Sequence, residues 1–395
     1  MLANYCVKMS TLTVLEPTLR LDASAVTLQS SKKADKPRHV VIPDLFSSIM
    51  AVEPTINPHY KDGKAEADAW FKSLLQLKGK AEATFNKTDF GFAAAVWAPS
   101  AEKDRFRTAV DWANWVFYFD DQFDEGHLAN DPAAAQAEID SILAILNNES
   151  SYTQADKPLI YAFQSIWDRI KMVCGLQPIR VYFANRRTAG CHTRSPNWSI
   201  EVQERWKNAH KKYVDGLIYQ SQRTKLGYAA APTVDEYMRY RRETIGVILA
   251  IRLVEYAENI KLSQAQLNHP AMQLCTRTIV DLVILSNDIL SYKKEVELND
   301  AGNNLVTILK AQHLSDQEAM DEIGRMLDAC YEAWYSALDG LPVWGAEIDR
   351  EVRRYLDACR NVGLGNLHWS FRSGRYFGTS GEEVRKTRIL TLPST

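Results

Sequence analysis

The chain has 395 residues, 47 basic and 49 acidic side chains and an apolar fraction of 46%, values of a soluble globular protein with room for a large core. Charge this evenly balanced creates no field for a polyanion and argues against nucleic acid as a partner. No eighteen apolar residues run together, so neither a membrane span nor a signal peptide is expected, and the six cysteines lack the spacing of a zinc site or disulfide framework. Reduced thiols in the cytoplasm are the simpler expectation.

Residues 1–40 mix Ser, Thr, Lys and Asp without period and read as a mobile extension. Order is expected to begin near Val41-Ile42-Pro43, opening one domain over 41–395. From Asp62 the apolar positions Ala67, Trp70, Phe71, Leu74 and Leu75 recur at helical intervals. A helix over Glu102–Gln122 comes next, followed by helical patterns at Ala133–Leu146, Pro158–Met172, Val202–Ser221, Val234–Glu258, Pro270–Leu298, Asp316–Leu338 and Ile348–Cys359. Strand alternation is absent, and prolines mostly punctuate these segments. The pattern predicts an all-α fold. Between Asp168 and Glu201 no acidic residue occurs, while Arg180, Arg186, Arg187 and Arg194 crowd a Gly- and Pro-containing stretch. This basic insertion, at about 173–200, reads as an irregular loop, with translated non-coding sequence as the alternative.

Two oxygen-rich clusters emerge from apolar helices. Asp120, Asp121 and Asp124 follow Val116-Phe117-Tyr118-Phe119. Carboxylates at a helix C-terminus meet the negative end of the dipole and repel one another unless a cation neutralises them. Asp120 and Asp124 lie one turn apart with Asp121 beside them. The second cluster, Asn287, Ser291 and Glu295, follows Leu282-Val283-Ile284-Leu285 and climbs one helix face over about 12 Å. Oxygen donors without His or Cys select magnesium, which commonly bridges to substrate phosphates. Each cluster alone also fits a solvated helix end. Two metal faces opposed across a bundle would clamp a diphosphate.

Fixed cations for that diphosphate are available in Arg241-Arg242, ahead of a Gly246 that predicts a break in its helix, and in Arg375-Tyr376 beside Gly374. Trp97, Phe117 and Trp369 fit aromatic walls that stabilise a cation without offering a base, with plain core packing as the competing account. Zinc-protease, serine-hydrolase and phosphate-loop signatures are missing. His127 and His368 fit structural as well as catalytic roles.

Taken together, Asp120-Asp121-x-x-Asp124, Arg241, Asn287-x-x-x-Ser291-x-x-x-Glu295 and Arg375-Tyr376 resemble, in order and spacing, the motifs of class I terpene cyclases. Ile42-Pro43-Asp44-Leu45-Phe46, the stretch from Trp115 to Leu128, and Gly365-Asn366-Leu367 with Trp369-Ser370-Phe371 resemble the fungal sesquiterpene cyclases. The resemblance covers roughly 41–393 and breaks at the basic insertion. It implies a helical barrel with a central cavity that binds farnesyl diphosphate with three magnesium ions and ionises it to diphosphate and a cation that cyclises. It further implies that Arg241, Lys294, Arg375 and Tyr376 close on the diphosphate and that Trp97, Phe117 and Trp369 line the cavity. An alcohol of the presilphiperfolanol type, formed by water capture, is the implied product, from a monomer or homodimer. The alternatives are another sesquiterpene or monoterpene product, a chain-elongating prenyltransferase, and an inactive helical protein. The Asn287 motif, in place of a second aspartate-rich one, favours cyclisation.

Overall fold

In the computed structural model the described residues are 38–124, 126–128, 131–173, 196–225, 232–298 and 301–393. The basic stretch between 174 and 195 lies outside them. Residues Pro37–Ser394 form one compact unit. Its helices are α1 (Tyr60–Leu75), α2 (Gly79–Thr88), α3 (Phe90–Trp97), α4 (Lys103–Asp124), α5 (Pro132–Leu146), α6 (Pro158–Val173), α7 (Pro196–Lys225) and α8 (Val234–Thr244). They continue as α9 (Val247–Ala257), α10 (Gln264–Leu267), α11 (Pro270–Glu297), α12 (Leu305–Ala311), α13 (Asp316–Asp339), α14 (Ala346–Arg372), α15 (Gly374–Phe377) and α16 (Gly381–Thr387). The described residues thus form an all-α fold.

Local chemistry sets the helix starts. Asp131 accepts from the Ala134 backbone N–H with Pro132 at the first helical position, while Thr233 with Glu236 and Ser315 with Glu318 form reciprocal caps. The long pattern from Val234 to Glu258 is two helices, as the glycine implied. Ile245 ends α8, and Gly246 at φ 76° occupies the left-handed region that a glycine enters without steric cost.

Helix α11 packs on α13 and α14, α14 on α3, and α3 on α4, with α9 touching both α4 and α14. All eight residues of α3 are buried. An apolar helix with no polar face belongs at the centre. On α4 and α14 almost every residue of 108–119 and 362–371 is buried; Phe117, Tyr118 and Asn366 keep accessible surface. Tyr118 turns outward onto Phe71 of α1. Phe117 turns the other way, onto Phe90 of α3 and Trp369 of α14.

Three features differ from the sequence reading. Arg38–Val41 (β1) pairs antiparallel with Ile389–Leu392 (β2), with Arg38 opposite Leu392. Residues 38–40, assigned to the extension, are therefore strand, and the Val41 N–H donates to Gln317 of α13 at 2.8 Å. Strands of four residues carry too little alternation to read, and their partner lies at the far end of the chain. Helix α14 runs on to Arg372 rather than stopping at Cys359. Its glycines admit neighbours instead of ending it: a Cβ on Gly365 would lie 2.4 Å from Trp97, and one on Gly363 would lie 3.4 Å from Met50.

Candidate active site

The two oxygen rows sit on α4 and α11. Asp120 and Asp121 are half-buried on the last turn of α4. The side chain of Asp124, the final residue of that helix, lies outside the described residues. Asp120 accepts a 2.6 Å bond from the Tyr213 hydroxyl of α7. Burial raises its pKa, the Tyr213 bond pulls it back, Asp121 adds to the rise, and Arg241 and Arg375 oppose it. Asp121 receives both arms of the Arg375 guanidinium, at 2.6 and 3.1 Å.

On α11, Asn287 alone keeps accessible surface within the buried run 278–292. Its Oδ1 accepts from Arg241 at 3.2 Å and its Nδ2 donates to the Tyr376 hydroxyl at 3.1 Å. One and two turns further on stand Ser291 and Glu295. Asn304 joins the row from outside, its Nδ2 donating to Glu295 at 2.9 Å and to the Asp288 carbonyl at 2.9 Å. Burial pushes the Glu295 carboxyl up to about 7 against the hydrogen bonds from Ser291 and Asn304. Lys294, seven residues beyond Asn287 and so on nearly the same face, is half-buried.

The two rows meet through α15. Arg375 grips Asp121 on α4 while its neighbour Tyr376 reaches Asn287 on α11. Residues on opposite walls are therefore no further apart than one dipeptide spans. Arg241 closes the remaining side. Burial works against its charge, but Tyr237, Asp288, Glu295 and Asp120 around it more than reverse that, so it stays protonated. Its neighbour Arg242 turns away to a two-armed pair with Asp281, at 2.6 and 2.9 Å.

Beneath the rows the expected aromatics come together. Phe117, one turn below Asp120 and Asp121, stacks on Phe90 at 4.4 Å and on Trp369 at 4.9 Å, with Trp97 at 6.5 Å. Phe117 alone of the three predicted rings keeps accessible surface; Trp97 is 4% exposed and Trp369 fully buried. Trp369 is fixed there by its indole N–H, which donates to the Thr88 carbonyl at 2.5 Å.

The donor chemistry fits a hard divalent cation. Among the described residues no three His, Cys, Asp or Glu side chains converge on one point. Each row nevertheless offers carboxylate, amide or hydroxyl oxygen and neither imidazole nor thiolate, which suits magnesium completed by ligand oxygens. Asp121 already takes a cation, from Arg375. His127 is exposed, within 3.2 Å of Gln122 Oε1, and His368 packs against Phe46 with its pKa lowered by burial.

Sequence reading missed Tyr213, Tyr237, Asp288, Asn304 and Phe90. Tyr213 reaches Asp120 from α7, and Tyr237 reaches Asp288, beside Asn287, from α8, by contacts that no local pattern announces. Asp288 carried a readable signal, a carboxylate between Leu285 and Ile289 on the buried side of an apolar helix. It accepts from the Tyr237 hydroxyl at 2.6 Å and from the Leu305 N–H at 2.9 Å. Asn304 also caps α12, its Oδ1 accepting from the Val306 N–H, and nothing local in the sequence marks it as serving the row.

The model of terpene synthase family 2, C-terminal metal binding, matches residues 111–333, a span that holds both oxygen rows and Arg241. The chain is 43% identical to (+)-eremophilene synthase of Gibberella fujikuroi over 90% of its own length and 93% of that protein. It is 36% identical to silphinene synthase peniA of Penicillium patulum over 96% and 98%. Two solved structures share the fold: α-eudesmol synthase, with a TM-score of 0.65 at 23% identity over 82% of this chain and 98% of that one, and germacradien-4-ol synthase from Streptomyces citricolor, with 0.65 at 18% over 83% and 99%. No described helix is long and apolar enough to cross a membrane. The chain belongs to the terpene synthase family, alongside the fungal sesquiterpene cyclases, and is a carbon–oxygen lyase acting on a diphosphate.

Proposed function

We propose that this enzyme ionises farnesyl diphosphate with three magnesium ions held between the rows of α4 and α11, cyclises the cation in a hollow beneath them, and releases the product with inorganic diphosphate. The observation that carries this reading is the Arg375-Tyr376 pair, which ties Asp121 to Asn287 above an aromatic wall. Asp120, Asp121 and Asp124 would hold metal from one side, and Asn287, Ser291 and Glu295 from the other. The chemistry that magnesium supplies when bound is neutralisation of the diphosphate oxygens as the carbon–oxygen bond breaks.

The rest falls to the chain. Arg241 and Arg375 present planar forks to phosphate oxygens, and Lys294 and the Tyr376 hydroxyl add single donors. With Asp121 engaged by a divalent ion, Arg375, which pairs with it here, would be free to present its fork to the diphosphate. These groups also cap the hollow, which keeps bulk water out before charge develops. Phe117 and Phe90 turn ring faces, which attract cations, toward the reacting hydrocarbon, with Trp97 and Trp369 holding them in place.

The end of the reaction has two readings. Capture of one water gives an alcohol of the presilphiperfolanol type, as the sequence resemblance implies. Proton loss gives an alkene, which the names of the eremophilene and silphinene relatives favour. Free thiols at Cys275, Cys330 and Cys359 support a reducing, cytoplasmic setting, for a monomer or homodimer.

Incubation of purified protein with farnesyl diphosphate and magnesium yields cyclic volatiles by mass spectrometry on this reading. Longer diphosphates would mean chain elongation instead. Asp120→Ala and Asn287→Ala each abolish turnover while leaving the helical circular dichroism intact; near-native activity in either contradicts the clamp.

A further inference from the structure

The inner face of α14 carries one polar side chain that no described residue serves. Gly365 lies against Trp97 and Ala93 of α3, Gly363 against Met50 and Ile279, and the His368 ring stands edge-on to Phe46 with centroids 5.0 Å apart. At about 100° per residue these contacts occupy three sides of the helix. The remaining side, opposite His368, belongs to Asn366. Tyr355, three turns earlier on that side, meets Arg252 of α9 at 3.4 Å and Thr276 of α11 at 3.2 Å, which identifies the face as the inner one.

Within 362–371 only Asn366 is not fully buried. Its side of α14 lies between that of Trp369, which touches Phe117 of α4, and that of Gly363, which faces Ile279 of α11. The Asn366 Oδ1 is buried without a hydrogen-bond partner, and no described residue bonds the amide nitrogen. A buried amide is costly until donor and acceptor are both met. With no described protein group to meet them, the partner comes from what binds between α4 and α11. An amide is not a base, so it cannot end a carbocation by taking a proton, but it holds a water through donor and acceptor together.

We propose that Asn366 holds the water that captures the final hydrocarbon cation and so divides the product between alcohol and alkene. This rests on the cyclase reading above. The water oxygen gives a lone pair to the cationic carbon, forming the carbon–oxygen bond, and the oxonium proton passes to the diphosphate released on ionisation. Where no water is held, the same cation loses a proton from carbon to that diphosphate and leaves as alkene.

The test incubates the wild type, Asn366→Leu and Asn366→Ser with farnesyl diphosphate and magnesium in heavy-oxygen water, with products read by mass spectrometry and diphosphate assayed separately. The wild type gives labelled alcohol. Leucine keeps the shape without hydrogen bonds and lowers the alcohol-to-alkene ratio by roughly tenfold or more, and serine restores part of it. The ratio does not depend on how much enzyme folds. An unchanged ratio in Asn366→Leu, or wild-type product without label, overturns the role of Asn366. Absence of diphosphate release by the wild type overturns the cyclase reading itself, and the diphosphate assay tells the two failures apart.

Discussion

Asn287 is held from both ends, by Arg241 at its oxygen and by Tyr376 at its nitrogen, so its amide cannot rotate away from the opposite row. A residue proposed to present one oxygen to a metal is best fixed in this way. The two bonds differ in strength. Arg241 brings a charge and a planar fork, whereas the Tyr376 hydroxyl brings a neutral bond. We therefore expect Arg241→Lys to cost about 2–3 kcal/mol of transition-state stabilisation, roughly a hundredfold in kcat/KM. Tyr376→Phe should cost only about 1 kcal/mol, or roughly fivefold. Steady-state kinetics decide it: equal losses in the two variants would mean that the guanidinium acts as a mere point charge.

At the scale of elements, the site depends on how closely α3 and α14 approach. A Cβ at position 365 would stand 2.4 Å from Trp97 Cδ1 and 3.1 Å from the Ala93 carbonyl oxygen, so the helix must back away or Trp97 must swing into the Phe117 stack. Gly365→Ala should cost about 1–3 kcal/mol, as overpacked cores do, and move the urea midpoint downward. Gly374→Ala is the control, since nothing lies within 4 Å of its added Cβ and its φ is ordinary. A Gly365→Ala protein as stable as that control would show that the packing yields freely.

The same glycines explain what the sequence disclosed and what it hid. Gly246 was readable because a lone glycine interrupts a helical period, and the chain does break there. Gly363 and Gly365 lie beyond the periodic run that ends at Cys359, yet the helix passes through them, because they give room for contact with Met50 and Trp97, partners from the first third of the chain. Helix α3 escaped notice for a related reason: Phe90–Trp97 is apolar on every side and has no period to detect. The residues proposed for metal and diphosphate were legible since oxygen-rich chemistry in an apolar helix is locally improbable. Their supporting partners Tyr213, Tyr237 and Asn304 were not, since only folding brings them near.

For the whole molecule, the clearest pH dependence comes from the core rather than the site. His210 is fully buried among Trp112, Trp115, Phe163 and Trp206. Its Nδ1–H donates to the Trp206 carbonyl at 2.9 Å, and its Nε2 accepts from the Trp112 indole at 3.1 Å. Both ring nitrogens are used in the neutral form, and protonation at Nε2 would break the Trp112 bond. Burial pushes the pKa down to about 3, while the unfolded chain titrates near the ordinary value of about 6.5. Between these limits the unfolded state binds a proton that the folded state refuses, so stability is full above about pH 6.5 and falls as pH falls, by about 1.4 kcal/mol per unit. Buried carboxyls with raised pKa, Asp111 and Glu258 among them, act in the opposite sense over part of this range, so the wild-type curve alone does not isolate the histidine. Comparison with His210→Gln does, because the amide keeps one donor and one acceptor and has nothing to titrate. From pH 6.5 to 5 the wild type should lose about 2 kcal/mol more than the variant, read from urea unfolding at each pH by tryptophan fluorescence. Parallel curves for the two proteins would mean that His210 takes up its proton inside the folded core.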